Sequence, residues 1–212
     1  MALVAEGVKV ERGGRLALAA PDFRVAPGEA AVVTGPNGAG KSTLLRAVAG
    51  LVPLSAGRVI LEGAEAPADE AAYAGHLDAV KPALSTRANL AGWAAIYGGG
   101  GVEDALERFG LAEAAEEPAG WLSAGRKRRL GLARLMVTKR RLWLLDEPTV
   151  SLDVGSVAIF AELVAEHCAA GGIALAATHV ALGLPPGPEI RIEPPRAAAA
   201  AAADPFLSGT WT

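Results

Sequence analysis

The chain has one cysteine, Cys168, among 212 residues. A single thiol excludes an internal disulfide framework and a zinc cluster built on cysteines; its helical surroundings make it a small packing residue. No basic stretch followed by an apolar one opens the chain, and no apolar run reaches the ~18 residues of a spanning helix. The expectation is a cytosolic protein, or one held at a membrane only through a partner. A surplus of positive charge is absent as well. Twenty Lys and Arg stand against 23 Asp and Glu, net charge −3, so there is no electrostatic case for nucleic acid. There is no internal repeat. An apolar content of 51% excludes a mainly disordered chain, and the length predicts one domain with a sizeable core.

The chain reads in four stretches. Residues 2–33 alternate and turn like short strands, with Gly13-Gly14 and Pro27-Gly28 as turn signals. Residues 34–75 hold a glycine-rich loop, a helix and the strand 58–62. Residues 77–140 look helical, interrupted by Gly98-Gly99-Gly100-Gly101, which reads as a flexible loop. Residues 141–192 return to strand–helix–strand. The tail from about residue 193, with Pro194-Pro195 and an alanine run, is expected to be poorly ordered.

The glycine-rich loop is Gly35-Pro36-Asn37-Gly38-Ala39-Gly40-Lys41-Ser42-Thr43. It follows the apolar strand 30–33 and opens an apolar-faced helix, which is the strand–loop–helix context that a phosphate-binding loop requires. Its glycines let backbone N–H groups turn toward phosphate oxygens, and the helix N-terminus adds partial positive charge. Lys41 can reach the β- and γ-phosphates, and the Ser42 hydroxyl can ligate Mg²⁺.

Two further sites carry chemistry. Leu142-Trp143-Leu144-Leu145 followed by Asp146-Glu147-Pro148 describes a buried strand with two carboxylates at its C-terminal end, where ligands of open α/β sheets bind. Asp146 is expected to hold Mg²⁺ through its water shell, and Glu147 to polarise an attacking water. Leu122-Ser123-Ala124-Gly125-Arg126 leads into a basic helix. Ser123 is a good N-cap, and apolar residues at 130, 132, 133 and 135 suggest one buried side. Whether this is a second anion site or an ordinary basic helix is left open by the residues alone.

The order of Gly35–Thr43, Leu122–Gly125, Leu145–Glu147, Ser151-Leu152-Asp153 and Thr178-His179 resembles the nucleotide-binding subunits of ABC transporters over residues 2–192. That resemblance implies an α/β P-loop NTPase fold of the ABC type. A mixed or parallel sheet core would carry an antiparallel strand layer and a small helical subdomain over about 77–140. It implies a homodimer with shared ATP sites, in which Ser123 and Gly125 of the signature segment Leu122–Arg126 bind the γ-phosphate held by the other subunit. It gives His179 the role of γ-phosphate sensor orienting Glu147, and places Asp153 at the dimer seam. ATP and Mg²⁺ are the implied ligands, polytopic membrane subunits the implied partners.

Three positions depart from the family pattern. Arg12 stands where an aromatic residue usually stacks on adenine; a guanidinium plane can also stack on a base. His76 stands where a glutamine usually touches Mg²⁺ and the membrane partner, and is a catalytic candidate because neutral imidazole can accept a hydrogen bond. Arg126 replaces the last signature glutamine. Gly75–Leu84, Asn89-Leu90, Leu122–Gly125 and Leu142–Pro148 together resemble the ATP-binding subunits of the haem-handling export complexes of cytochrome c maturation. Such a subunit lies peripherally on the cytoplasmic face of a bacterial inner membrane, and its ATP hydrolysis frees a haem-loaded chaperone on the other side. No residue shows haem binding: His76 and His167 have simpler readings. The alternatives are an ABC ATPase for another cargo, a soluble iron–sulfur assembly ATPase, and a small-molecule P-loop kinase. The last leaves Ser123–Gly125 and His179 without roles.

Overall fold

The computed structural model describes residues 2–75, 77–178 and 183–195. The two histidines expected to act, His76 and His179, lie outside the described residues, as does the tail from 196 onward.

In chain order the elements are β1 (Leu3–Arg12), β2 (Arg15–Ala19), β3 (Phe23–Val25), β4 (Ala30–Thr34), α1 (Lys41–Val48), β5 (Ala56–Leu61), β6 (Ala71–Ala74), α2 (Thr86–Tyr97), α3 (Val102–Arg108), α4 (Ala124–Thr138), β7 (Leu142–Asp146), α5 (Val154–Ala169), β8 (Ile173–Ala177) and β9 (Glu189–Arg191). They form two sheets. One is antiparallel, with β1 pairing β2, β3 and β5. The other is parallel, in the order β6-β7-β8-β4-β9. β1 is ten residues long, not one of several short strands, because it is the hub on which three partners register.

The two faces of the parallel sheet are covered differently, and the period-2 alternation of side chains decides what goes where. Leu142 and Leu144 of β7, with Ile173, Leu175 and Ala177 of β8, pack among Leu3, Val10, Leu44 and Leu45 from the antiparallel sheet and α1. Trp143 and Leu145, with Ala174 and Ala176, pack among Leu130, Leu132, Phe109 and Phe160 from the helical side. Every residue of β7 and β8 is buried, as a strand covered on both faces requires.

Four local expectations change. β6, Ala-Ala-Tyr-Ala, carries no β-branched residue and was not legible as a strand; its parallel pairing of Ala71–Ala74 with Leu142–Leu145 makes it one. In the helical stretch the first helix begins only at Thr86, N-capped by the Ser85 hydroxyl, which accepts from the Ala88 N–H. The glycine run is packed: Gly98 and Gly101 cap α2 and α3 in the left-handed region, and a Cβ on Gly99 would lie 1.7 Å from the Val137 carbonyl oxygen. α4 is buried on more than one side, with Arg128, Leu130 to Leu135, Val137 and Thr138 all enclosed, because it packs against α2, α3 and β6 together.

Candidate functional site

The glycine-rich loop bends back over its own helix. Gly35, Gly38 and Gly40 all have positive φ, 138°, 80° and 110°, conformations that side chains with a Cβ resist. Gly40 is the N-cap of α1 with no side-chain cap, so the first N–H groups of α1 remain for an anion. Lys41 is only 8% exposed. Its ammonium donates to the carbonyls of Gly35 at 2.8 Å and Pro36 at 3.2 Å. These two bonds pin the charge over the loop, and an ammonium has three protons, so it can hold one acceptor more.

β7 delivers the carboxylates. Asp146 ends the strand at 4% exposure. The Ser42 hydroxyl donates to its Oδ1 at 2.8 Å, joining residues 104 apart in sequence. The Tyr73 hydroxyl donates to its Oδ2 at 2.7 Å and accepts from Arg46 Nε at 3.3 Å. Burial, chiefly, pushes the Tyr73 hydroxyl up to about 12, so it stays a neutral donor across the physiological range. Tyr73 was missed in the sequence because β6 was. Glu147, the next residue along, turns sharply out of the strand with φ 47°, and its N–H donates to the Ala177 carbonyl at 2.9 Å.

Arg12, Leu16, Ala17, Asn37, Gly38, Gly40, Lys41, Ser42, Thr43, Asp146 and Glu147 line one cavity of about 530 Å³, within the range of small-molecule sites. The structure thus gathers the phosphate-loop candidates, both carboxylates and Arg12. Arg12 stands exposed at the end of β1, at the cavity rim. Ser42 and Asp146 offer adjacent oxygens, the donor chemistry of a small divalent cation that keeps waters and phosphates as its remaining ligands. Among the described residues no cluster of three or more His, Cys, Asp or Glu competes for a metal.

Within one chain the signature segment does not line that cavity. Leu122 is buried, while Ser123 and Ala124 are exposed. The Ser123 hydroxyl accepts from the Arg126 N–H at 3.3 Å as the N-cap of α4. A Cβ on Gly125 would sit 3.7 Å from the Ser151 carbonyl, so the start of α4 and the loop 150–153 form one surface. Asp153 is exposed and N-caps α5 by accepting from the Ser156 N–H at 2.7 Å; that N–H holds its carboxyl below the usual range. Val150 and Val154 are exposed beside it, 55% and 88%.

The remaining polar candidates have structural roles. Cys168 is 2% exposed, and burial raises its thiol. His167 stacks on Trp143, ring centroids 3.9 Å apart and planes 7° apart, with Nε2 3.3 Å from the Ile173 carbonyl. Burial pulls His167 below its ordinary value of 6.5. The unfolded chain therefore takes up a proton near pH 6.5 that the folded chain resists. Stability contributed by neutral His167 is present above that pH and lost as the pH falls below it. The His167→Phe chain, which keeps a ring on Trp143, should lose this slope, at most about 1.4 kcal/mol per pH unit. Urea unfolding at pH 7.5 and 5.5 measures it; equal slopes in the two chains would remove His167 from the acid response.

Comparison with known proteins adds the lineage. A family model described as ABC transporter matches residues 18–150. The chain is similar to the cytochrome c biogenesis ATP-binding export protein CcmA of Ruegeria pomeroyi, 54% identical over 184 residues that cover 87% of this chain and 88% of that one. It is also similar to the protein of the same name in Paracoccus denitrificans, 51% identical over 195 residues, 92% and 90% of the two chains. A solved structure described as the ATP-binding subunit of an ABC transporter superposes with a TM-score of 0.77 at 24% identity, over 84% of this chain and 80% of that one, which bears on the fold alone.

Proposed function

The chain belongs to the ABC transporter family as an ATP-binding, ATP-hydrolysing subunit, and from that premise we propose that its ATP hydrolysis drives the export complex of cytochrome c maturation, freeing a haem-loaded chaperone across the membrane. The observation that carries the cargo is the run of relatives named for cytochrome c biogenesis, about half identical over nearly the whole chain. The observation that carries the chemistry is the cavity where Lys41, Ser42, Asp146 and Glu147 converge.

In this reading Gly35 to Thr43 wrap the phosphates, and Lys41 neutralises the β- and γ-oxygens. Ser42 and Asp146 hold Mg²⁺, which supplies charge neutralisation of the phosphates when bound. Tyr73 and Ser42 keep the Asp146 carboxylate aimed by occupying one oxygen each. Glu147 accepts the proton of the attacking water. Arg12 lies along the adenine. His76 and His179 keep the roles the family pattern gives them, toward Mg²⁺ and the attacking water and toward the γ-phosphate.

Since the signature segment lies off the phosphate cavity of its own chain, it serves a second copy. Two chains pair head to tail, Ser123 and Gly125 closing on the partner's γ-phosphate. Asp153 lies at the seam, where Val150 and Val154 would be covered. A symmetric pair completes two sites at once.

Among the described residues no helix is long and apolar enough to cross a membrane, so attachment is through a partner. Leu51, Trp93 and Tyr97 line a groove of about 240 Å³ between the end of α1 and α2, floored by Tyr73 and Arg134. Leu51 is 63% exposed. This groove receives a polytopic membrane subunit, on the cytoplasmic face of the bacterial inner membrane.

The test is genetic and biochemical together. Deleting the chain from its own bacterium should abolish covalently haem-stained c-type cytochromes and leave b-type cytochromes in place. Leu51→Asp should copy that phenotype, release the chain from washed membranes, and keep ATP hydrolysis by the purified chain within about twofold, since Leu51 is not among the residues lining the phosphate cavity. Normal c-type cytochromes in the deletion strain would assign the transporter another cargo. A membrane-retained Leu51→Asp chain would move the docking site.

A further inference from the structure

We infer that Arg128, on the buried side of the signature helix α4, is a positioning residue that sets the backbone of Glu147 and thereby the aim of the catalytic carboxylate. This rests on Glu147 acting as the base.

Arg128 is 4% exposed, yet it sits in a basic helix start where the neighbouring Arg126, Lys127 and Arg129 are only part-buried. All three of its guanidinium nitrogens are engaged. Nη2 donates to the Glu147 carbonyl at 2.9 Å and Nε to the Pro148 carbonyl at 3.1 Å. Nη1 donates to the Gly75 carbonyl at 2.6 Å and to Asp78 Oδ1 at 2.9 Å. A guanidinium buried only for charge pairing would need the carboxylate alone. Here three of four acceptors are backbone carbonyls, and they come from two chain segments, one of which carries Glu147 at the phosphate cavity. The planar fork holds those carbonyls in a fixed mutual arrangement, which the point charge of a lysine does not reproduce.

What is held is a strained turn. Glu147 has φ 47° without being glycine. A side chain in that region persists only where its surroundings over-determine it. Both backbone polar groups of Glu147 are clamped, the N–H by the Ala177 carbonyl at 2.9 Å and the carbonyl by Arg128 at 2.9 Å, with a longer bond from the Val150 N–H at 3.4 Å. Without the Arg128 fork that carbonyl falls back on the longer Val150 bond, so the peptide can rotate and the carboxylate swings with it.

The other side of the brace is equally tight. A Cβ on Gly131, one turn along α4, would lie 2.8 Å from Asp78 Cβ and 3.0 Å from its Cα. Asp78 is thus pressed onto α4 between Arg128 and Arg134, with the next residue, Ala79, at φ 53°. Arg134 donates to the carbonyls of Tyr73 and Asp78. The helix that presents Ser123 at its exposed end therefore grips, further along, both the turn carrying Glu147 and the strand end carrying Tyr73.

The test is a kinetic cycle on the full-length chain, with single-turnover hydrolysis of labelled ATP and nucleotide titration run in parallel. Arg128→Lys keeps the charge and loses the fork. It should lower the hydrolysis rate on the order of tenfold, as a displaced catalytic group does, with ATP affinity changed less than about twofold. In the Glu147→Gln background the same substitution should change the residual rate by less than about twofold, because the group it positions is gone. Gly131→Ala, which displaces Asp78 without touching Arg128, provides the second variant and should show the same split should Arg128→Lys fail to fold. A tenfold loss that persists in the Glu147→Gln background, or a loss of ATP affinity with the rate kept, would overturn the inference. A Glu147→Gln chain with near-normal turnover would instead overturn the assignment of the base, so the two failures are distinguishable.

Discussion

Replacing Glu147 by glutamine should slow ATP hydrolysis on the order of 10² or more while ATP still binds, because a general base contributes about 10² to 10⁴ in rate. Glutamine matches the shape of glutamate and can accept at its carbonyl oxygen, but it cannot take the proton of an attacking water. The turn that aims it is held through its own backbone, the N–H donating to the Ala177 carbonyl and the carbonyl accepting from the Arg128 guanidinium, and these bonds survive the substitution. Binding should persist because Lys41, Ser42 and Asp146 are untouched. The proposed pair of chains should then accumulate with ATP trapped between them, since opening waits on hydrolysis. Gel filtration with ATP and Mg²⁺ reads the pair, and phosphate release reads the rate. A chain that turns over near-normally, or that loses ATP as well as turnover, would place the base elsewhere.

The second large effect belongs to Lys41. Lys41→Ala should weaken ATP binding on the order of 10²-fold, because charge-assisted hydrogen bonds contribute about 1.5–3 kcal/mol each and two phosphates share this ammonium. A second loss adds to the first. The ammonium also bonds the Gly35 and Pro36 carbonyls, so its removal loosens the loop that presents the N–H groups. The control lies in the ligand series: ADP should suffer less than ATP, and AMP should bind alike to both chains, since it offers neither phosphate that Lys41 reaches. Fluorescent-nucleotide titration measures all three. Equal losses for AMP and ATP would mean that the loop had collapsed and that the ammonium is not what reads the phosphates.

Much of the candidate site is legible in the sequence. Gly35–Thr43 between an apolar run and an apolar-faced helix specifies its own geometry, because strand, turn and helix N-terminus are neighbours in the chain. Leu142–Glu147 is legible for the same reason: four apolar residues in a row admit few readings once two acids follow. The N-cap Ser123 is also a local fact, accepting from an N–H three residues on; Asp153 caps α5 in the same way, a role its place in the family pattern did not announce.

What stayed hidden depends on distant partners. β6 is a strand only because β7 lies beside it, and alanines carry no signal of that. Tyr73 matters through Asp146, 73 residues away. Arg128 looked like one more charge in a basic helix. A faint signal existed in the spacing of Arg128, Gly131 and Arg134, three residues apart and so on one helical face, but nothing in the sequence said that this face was buried. The glycine run 98–101 was read as loose because glycine permits looseness; the Val137 carbonyl packed against Gly99 turns that permission into a close fit.

Sequence alone thus determined the chemistry of each piece: a loop for phosphates, a strand end with two carboxylates, a capped basic helix, and the family in which these occur in this order. The pieces are properties of spacing within some ten residues, where backbone geometry and hydrogen-bond reach leave little choice; the family is a property of their order along the chain. Tertiary structure decided which pieces meet. It joined Ser42 to Asp146 across the sheet, kept the signature segment off its own chain's phosphate cavity, and buried Arg128 against the turn of Glu147. The physical reason is that a buried polar group must find its partner wherever the packing of apolar faces brings one, and that packing is settled by the whole chain at once.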